Sequence, residues 1–320
     1  MKILTTLCGA AVAATLVAAP AFAADMTVGF SQIGSESGWR AAETSLTKQQ
    51  AEERGITLKF ADAQQKQENQ IKAIRSFIAQ GVDGILLAPV VATGWNQVLE
   101  EAQDANIPVI LLDRQIDAPD TLYLTAVTSD QVHEGKVAGD WLVKTVGDKS
   151  CNVVELQGTT GSSPAINRKK GFEEAIAGHD NIKITRSQTG DFTRTKGKEV
   201  MESFIKAENG GKDICALYAH NDDMAVGAIQ AIKEAGLKPG TDILVVSIDA
   251  VPDIFQAMAA GEANATVELT PNMAGPAFDA LEKYRADGTE PKKWIQTESK
   301  LYTQADDPMK VYEEKKGLGY

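Results

Sequence analysis

The chain has 320 residues, of which 43% are apolar and 24% are charged, and its net charge at pH 7 is −12. This acidic balance excludes the large basic surface that nucleic acid or an anionic membrane would require, so we predict no nucleic-acid partner. A chain of this length exceeds the usual size of a single hydrophobic core, and two domains are therefore expected.

The first 23 residues have the organisation of a secretory signal peptide. Lys2 supplies the positive charge, residues 3–19 are apolar or small, and Ala21-Phe22-Ala23 is a small-x-small cleavage site. We therefore expect cleavage after Ala23 and export to the periplasm. Losing Lys2 would change the net charge from −12 to about −13.

Strand-like runs alternate with helical segments along the rest of the chain. In the first half these runs cover residues 26–31, 56–61, 84–88, 108–112 and 122–127. In the second half they cover residues 151–157, 182–188, 214–219, 243–248 and 265–269. Between them lie amphipathic segments such as 68–79, where Ile71, Ile74 and Ile78 share one helical face.

This alternation predicts an α/β fold of two doubly wound parallel-sheet lobes, each with the strand order 2-1-3-4-5. No low-complexity linker separates the lobes, so short extended segments near 127–130 and 269–272 are expected to join them as a multi-strand hinge. We assign residues 24–127 and 270–298 to the N-terminal lobe, and residues 128–269 and 299–320 to the C-terminal lobe.

Two cysteines, Cys151 and Cys215, remain after export, and each stands at the start of a strand-like run. An even pair in an oxidising compartment favours a disulfide, although two small buried thiols are the alternative. In the order 2-1-3-4-5 the first and third strands are neighbours, so the two cysteines would lie side by side. We predict a structural disulfide at the edge opposite the ligand site.

Polar and aromatic side chains follow several strands of both lobes, at the edge where parallel sheets bind ligands. Asp, Asn and Arg present planar hydrogen-bonding groups that match sugar hydroxyls, and an indole offers a flat face to a sugar ring. The pattern predicts a crevice for an uncharged polyol between the lobes. For Trp39 and Arg40 the alternative is a packing residue beside a salt-bridged arginine.

Catalysis, metals and cofactors are not expected. A glycosidase needs a carboxylic acid that stays protonated near neutral pH. In this crevice Asp113 is next to Arg114, and Arg40 and Arg168 are expected to face it, so the pKa of the carboxylates should be lowered. His133, His179 and His220 share no metal-ligand spacing. The segment "GTTGSS" at 158–163 lacks the lysine of a phosphate-binding loop, so it is interpreted as a tight turn between strand and helix.

Several segments resemble one known family: "LLDRQ", "ELQGTTGSS", "NRKKGF", "DFTRTKGKEVM", "HNDDMAVGAIQAIKEAG" and "SIDAVPD". Over nearly its full mature length the chain resembles the periplasmic sugar-binding proteins of ABC transporters, of the ribose/galactose type. Within that family, "GFSQIGSESGWRAAET" and "VELTPNMAGPAFDALEKY" look closest to the branch that binds galactofuranose.

The resemblance implies a type I periplasmic binding protein fold that captures a monosaccharide by lobe closure. It favours galactofuranose and implies that a monomer docks transiently on an ABC permease. The alternative is a binder of ribose, galactopyranose or inositol that also serves a chemoreceptor. Gly38-Trp39 and Leu269 depart from the ribose-type pattern, which disfavours ribose. The implied ligand contacts are Glu36, Ser37, Gly38, Trp39, Arg40, Asp113, Arg114, Arg168, Phe192, Asn221 and Asp249.

Overall fold

The computed structural model describes residues 26–319, so the expected signal peptide and its cleavage site lie outside the described residues. Two six-stranded sheets organise this part of the chain. No helix within it is long and apolar enough to span a bilayer.

The strands are short and mostly buried. In chain order they are β1 (Thr27–Gln32), β2 (Thr57–Asp62), β3 (Gly84–Leu87), β4 (Val109–Leu112), β5 (Thr125–Ser129), β6 (Cys151–Gln157), β7 (Ile182–Thr189), β8 (Ala216–Ala219), β9 (Leu244–Asp249), β10 (Ala265–Glu268), β11 (Trp294–Thr297) and β12 (Leu301–Thr303).

Ten α-helices connect these strands within the described residues. They are α1 (Gly38–Glu53), α2 (Gln67–Ala79), α3 (Asn96–Asp104), α4 (Gln131–Val146), α5 (Ser163–Ile176), α6 (Arg194–Ala207), α7 (Asp222–Glu234), α8 (Pro252–Ala259), α9 (Ala274–Asp287) and α10 (Pro308–Lys315).

The two sheets repeat one topology. The first has the order β2-β1-β3-β4-β5-β11 and the second has the order β7-β6-β8-β9-β10-β12. The predicted order 2-1-3-4-5 is therefore confirmed in both, and the two-lobed α/β class with it. The sequence did not reveal β11, which pairs parallel to β5, or β12, which pairs antiparallel to β10.

Alternate residues of each central strand enter cores on opposite faces of the sheet. In β3, Ile85 and Leu87 pack with α2 and α3, whereas Leu86 packs into the core that contains α9. The predicted helix at 68–79 forms as α2, with Ile74 fully buried and Ile71 and Ile78 partly buried. Both faces are covered because continuous apolar strands cannot face water.

The chain passes between the two sheets three times: after β5, after β10 and between β11 and β12. Helix α4 follows the first passage and packs on α5, whereas α9 follows the second and packs on α1. These passages bring the carboxyl ends of both sheets to face each other.

The predicted disulfide between Cys151 and Cys215 is present, with the two Cα atoms 5.0 Å apart. Cys151 opens β6 and Cys215 immediately precedes β8, its neighbour in the sheet. The bridge therefore joins adjacent strands at the edge opposite the facing carboxyl ends.

Candidate ligand-binding cleft

A small cleft lies where the carboxyl ends of the two sheets meet. The free space between its lining atoms, including its opening to solvent, is about 270 Å³. The residues that line it are Glu36, Ser37, Trp39, Arg40, Asp113, Arg114, Pro164, Arg168, Phe192, Asn221, Asp249 and Leu269.

Ten of the eleven residues expected to contact ligand are thus brought together from both lobes. The exception is Gly38, the first residue of α1, whose N–H points instead to Asp223 in the other lobe. Pro164 and Leu269 line the cleft although they were not expected there, because apolar side chains carried no chemical signal in the sequence.

Unusual backbone conformations aim several of these side chains. Asp113 directly follows β4 with φ of 62°, and Asp249 ends β9 with φ of 127°. Phe192 also has a positive φ, and its ring lies against Gly158, where a Cβ atom would stand 1.9 Å from the ring. Non-glycine residues rarely adopt these angles, and such strain concentrates at functional sites.

Arg40 is the hub of the N-terminal wall. Its guanidinium donates to Glu36 over 3.1 Å, and it also pairs with Glu43 and Asp113, all of them buried. Burial alone would lower the pKa of Arg40, but Glu43, Asp113 and Glu36 together raise that pKa well above its ordinary value. This side chain is therefore a fixed cation that orders three carboxylates.

Arg114 lies beside this hub with fewer anionic partners. Its Nη1 donates to the carbonyl oxygen of Val90 over 2.8 Å, and its Nη2 is 4.0 Å from Glu36. Burial lowers the pKa of Arg114 to about 10, and repulsion from Arg40 acts in the same direction. The group remains charged at neutral pH and is poorly compensated within the protein.

Arg168 organises the C-terminal wall. Its Nε donates to Glu134 over 2.9 Å, and its Nη1 donates to the carbonyl oxygen of His220. These two contacts leave Nη2 directed towards Asp249, 3.6 Å away. The side chain is held from behind, so its remaining nitrogen faces the cleft.

Asp249 behaves differently from the expectation that neighbouring arginines would lower the carboxylate pKa. Burial raises the pKa of Asp249 well above its ordinary value, and the opposing effect of Arg168 at 3.6 Å is too weak to reverse this. For this carboxylate the expectation was wrong, because desolvation of the buried anion outweighs the attraction of Arg168, and repulsion from neighbouring acids such as Asp222 acts in the same direction as burial.

The two aromatic residues that line the cleft, Trp39 and Phe192, also contact neighbouring protein groups. Trp39 is 2% exposed; its Nε1 donates to the carbonyl oxygen of Leu269 over 2.7 Å, and Arg40 lies 4.8 Å from its ring centre. Phe192 lies 5.3 Å from the guanidinium of Arg114 in the opposite lobe. Trp39 therefore packs against the hinge, as the alternative proposed, and also lines the cleft.

Two buried polar atoms of residues that line the cleft have no hydrogen-bond partner within residues 26–319: Oε2 of Glu36 and Nε of Arg114, the latter 3.6 Å from Oδ2 of Asp113. One is an acceptor and the other is a donor. Buried polar groups are nearly always hydrogen-bonded, so unsatisfied atoms in residues that line a cleft favour a ligand that can both donate and accept.

Several supporting residues were missed by sequence reasoning. Glu43 and Glu134 are completely buried acids that hold Arg40 and Arg168, although both sit in helices whose sequences look solvated. Asn221 is partly used by the fold, since its Oδ1 caps α7 by accepting from the N–H of Met224. Glu268, the last residue of β10, accepts a hydrogen bond from Lys315 and does not line the cleft.

Known proteins share the fold and much of the sequence of this chain. A profile described as "Periplasmic binding protein domain" matches residues 28–286. The galactofuranose-binding protein YtfQ of Escherichia coli (strain K12) is 71% identical over 301 residues, covering 94% of each chain.

Two solved structures are also similar. A crystal structure of a galactofuranose binding protein is 71% identical, with a TM-score of 0.91 and coverage of 92% of this chain and 100% of that one. The binding component of the arabinose ABC transporter from Shewanella sp. ANA-3, bound to alpha and beta-L-arabinofuranose, is 57% identical. Its TM-score is 0.88, and the match covers 91% of this chain and 95% of that one.

Proposed function

This chain belongs to the periplasmic binding protein family, and we propose that it captures galactofuranose between its two lobes. The observation that carries the proposal is the small cleft in which both lobes present hydrogen-bonding groups, two of whose buried atoms lack partners within the described residues. Sugar hydroxyls both donate and accept, so one ligand would satisfy Oε2 of Glu36 and Nε of Arg114.

Binding would also drive closure of the lobes. A ligand that contacts Arg40 and Asp113 on one wall and Arg168 and Asp249 on the other stabilises the closed arrangement selectively. A micromolar affinity corresponds to about −8 kcal/mol. Over the ~12 heavy atoms of a hexose this is well below the ceiling of ~1.5 kcal/mol per atom, so non-covalent contacts suffice.

The family also indicates the setting: a periplasmic protein that supplies a sugar to an ABC transporter. We extend this with cleavage of the signal peptide after Ala23 and transient docking of a monomer on the permease. We also propose that the mobile units are residues 24–127 with 270–298 and residues 128–269 with 299–320. The distribution of the strands between the two sheets supports this division.

The choice of a furanose rests on the relatives described as binding galactofuranose and arabinofuranose. Isothermal titration calorimetry of the mature protein with galactofuranose, arabinose, ribose and galactopyranose tests it. Galactofuranose should bind most tightly, with arabinofuranose as the next candidate. Exclusive binding of a pyranose would contradict the assignment, and mass spectrometry that found a converted sugar would contradict simple capture.

A further inference from the structure

Several hydrogen bonds join the two lobes without involving a ligand-facing side chain, such as those from the N–H of Ala92 to the carbonyl oxygen of Gly161 and from the N–H of Gln115 to Oγ of Ser163. Another one involves a buried carboxylate at the start of α1. The backbone N–H of Gly38, the first residue of α1 in the N-terminal lobe, donates to Oδ2 of Asp223 in the C-terminal lobe over 2.8 Å. Asp223 is not among the residues that line the cleft. The contact therefore connects wall to wall directly.

The carboxylate of Asp223 is held ready for this contact within its own lobe. Its other oxygen, Oδ1, accepts from Nη2 of Arg194 over 2.8 Å and from Nε over 3.2 Å. Arg194 is fixed in turn by Asp253, to which its Nη1 donates over 2.9 Å. The side chain of Asp223 is only 5% exposed, so solvent does not compete strongly for it in this arrangement.

The geometry of α1 makes the interaction favourable. The N-terminus of a helix has unsatisfied N–H groups and a partial positive charge, so a carboxylate placed there is stabilised. Ser37 caps the N–H of Arg40 with its hydroxyl, which leaves the N–H of Gly38 for Asp223. Helix α1 also carries Trp39 and Arg40, so the contact secures two cleft residues as the lobes close.

We propose that Asp223 is a closure latch: it binds the N-terminus of α1 only when the lobes are closed and thereby slows release of the sugar. This inference rests on the proposed function, because it assigns to Asp223 control over how long the same cleft stays closed. A latch of this kind changes the affinity for every ligand equally, since it contacts none of them.

Two substitutions remove the latch from opposite sides. Asp223→Ala removes the acceptor. Gly38→Pro removes the donor at the first helical position, where proline is tolerated, and Ser37 before it already has the extended backbone that precedes proline (φ −143°, ψ 161°). Glu234→Ala is the matched control, because Glu234 lies at the other end of α7 and pairs with Lys198 of α6 but is about half exposed on the surface.

Calorimetry and stopped-flow dissociation with galactofuranose and arabinofuranose should give a Kd about tenfold higher for each latch variant, through faster dissociation. The double variant should be no weaker than the weaker single variant, because both changes break one contact. The ratio of the two Kd values should stay at the wild-type value. Glu234→Ala should remain within about twofold of wild type.

A Kd within twofold of wild type for Asp223→Ala, multiplication of the two effects in the double variant, or a changed sugar ratio would each overturn the latch. If the wild-type protein binds none of these sugars, the proposed function fails and the latch fails with it. Wild-type binding together with unaffected variants removes the latch alone, so the two failures are distinguishable.

Discussion

The two lobes share one strand order but are secured differently at the edge away from the cleft. In the C-terminal lobe a disulfide joins β6 and β8 through Cys151 and Cys215. At the equivalent place in the N-terminal lobe, the N–H of Thr27 donates to Asp83, and Arg285 binds the other oxygen of that carboxylate. The first and third strands of the lobe are thus joined by a covalent bond in the C-terminal lobe and by partly exposed charged groups in the N-terminal lobe.

The two walls of the cleft differ as well. On the N-terminal side, Arg40 is surrounded by three buried carboxylates and forms a compensated network. On the C-terminal side, two nitrogens of Arg168 donate to Glu134 and to the carbonyl oxygen of His220. Burial there disfavours the ionised form of Asp249. One wall is ordered by its own ion pairs, whereas the other depends more on what binds to it.

The largest expected effect comes from removing the hub of the N-terminal wall. Arg40→Ala leaves the buried carboxylates of Glu36, Glu43 and Asp113 without their shared cation. Breaking a buried ion pair from one side typically lowers the free energy of unfolding by about 3–5 kcal/mol. Urea denaturation should show a loss of this size, and calorimetry should show no measurable sugar binding.

The matched control for this change is Arg75→Ala, because Arg75 pairs with Glu101 on the surface. Its urea midpoint and sugar affinity should match wild type. Equal losses for the two variants would mean that burial of the Arg40 network contributes nothing special, and the contrast between the walls would fail.

The disulfide should stabilise the C-terminal lobe without affecting the cleft. The cysteines are 64 residues apart, and a loop of that size contributes about 4 kcal/mol on a chain-entropy account. Replacement of both cysteines by serine should lower the free energy of unfolding by this order and leave the sugar Kd unchanged. A large rise in Kd would show that the far edge of the sheet is coupled to the ligand site.

Replacing an aspartate by asparagine should raise the free energy of unfolding in the C-terminal wall and lower it in the N-terminal wall. Asp249→Asn removes a buried charge that the folded state disfavours, so the unliganded protein should become more stable at pH 7 while sugar affinity falls by about 100-fold, the scale of a lost charged hydrogen bond. Asp113→Asn weakens the pairing with Arg40 and should lower both stability and affinity. Thermal melts and calorimetry on both variants measure the difference.

The effect of Asp249 on stability depends on pH. Because its folded pKa lies above the ordinary value, ionisation lowers the stability of the wild type as pH rises above the unfolded pKa of about 3.9. Below that pH, Asp249 is protonated in the folded and in the unfolded protein, so its burial no longer lowers the free energy of unfolding. The stability advantage of Asp249→Asn should therefore shrink as the pH falls towards 4, and an advantage that grows in acid would contradict the assignment.

The sequence predicted the central fold well because its signals are local. Apolar runs ending in polar residues located ten strands, and the carboxyl-end rule together with the family resemblance gave ten of the twelve residues that line the cleft. The strands β11 and β12 were missed, since each has only three or four residues and forms because the chain returns to an existing sheet edge.

The supporting residues could not be predicted because their roles depend on contacts distant in sequence. Glu134 meets Arg168 across 34 residues, and Gly38 meets Asp223 across 185. The residues next to Glu134 and Asp223 in the sequence do not distinguish these two acids from solvated residues of a helix. The raised pKa of Asp249 has the same origin, because it results from desolvation by the assembled fold and not from its neighbours in the chain.

The smallest expected effect concerns the indole of Trp39, which joins the N-terminal wall to the hinge. Trp39→Phe keeps a flat apolar face but loses the N–H that donates to Leu269. A hydrogen bond contributes about 0.5–1.5 kcal/mol net, so Trp39→Phe should raise the sugar Kd about two- to tenfold. Trp39→Ala also loses the flat apolar face and should bind at least tenfold more weakly than wild type. Trp141→Phe, on α4 outside the cleft, is the control and should bind like wild type. An equal loss for Trp39→Phe and Trp39→Ala would assign the whole contribution to the hinge contact, whereas unchanged affinity for both would leave Trp39 as a packing residue alone.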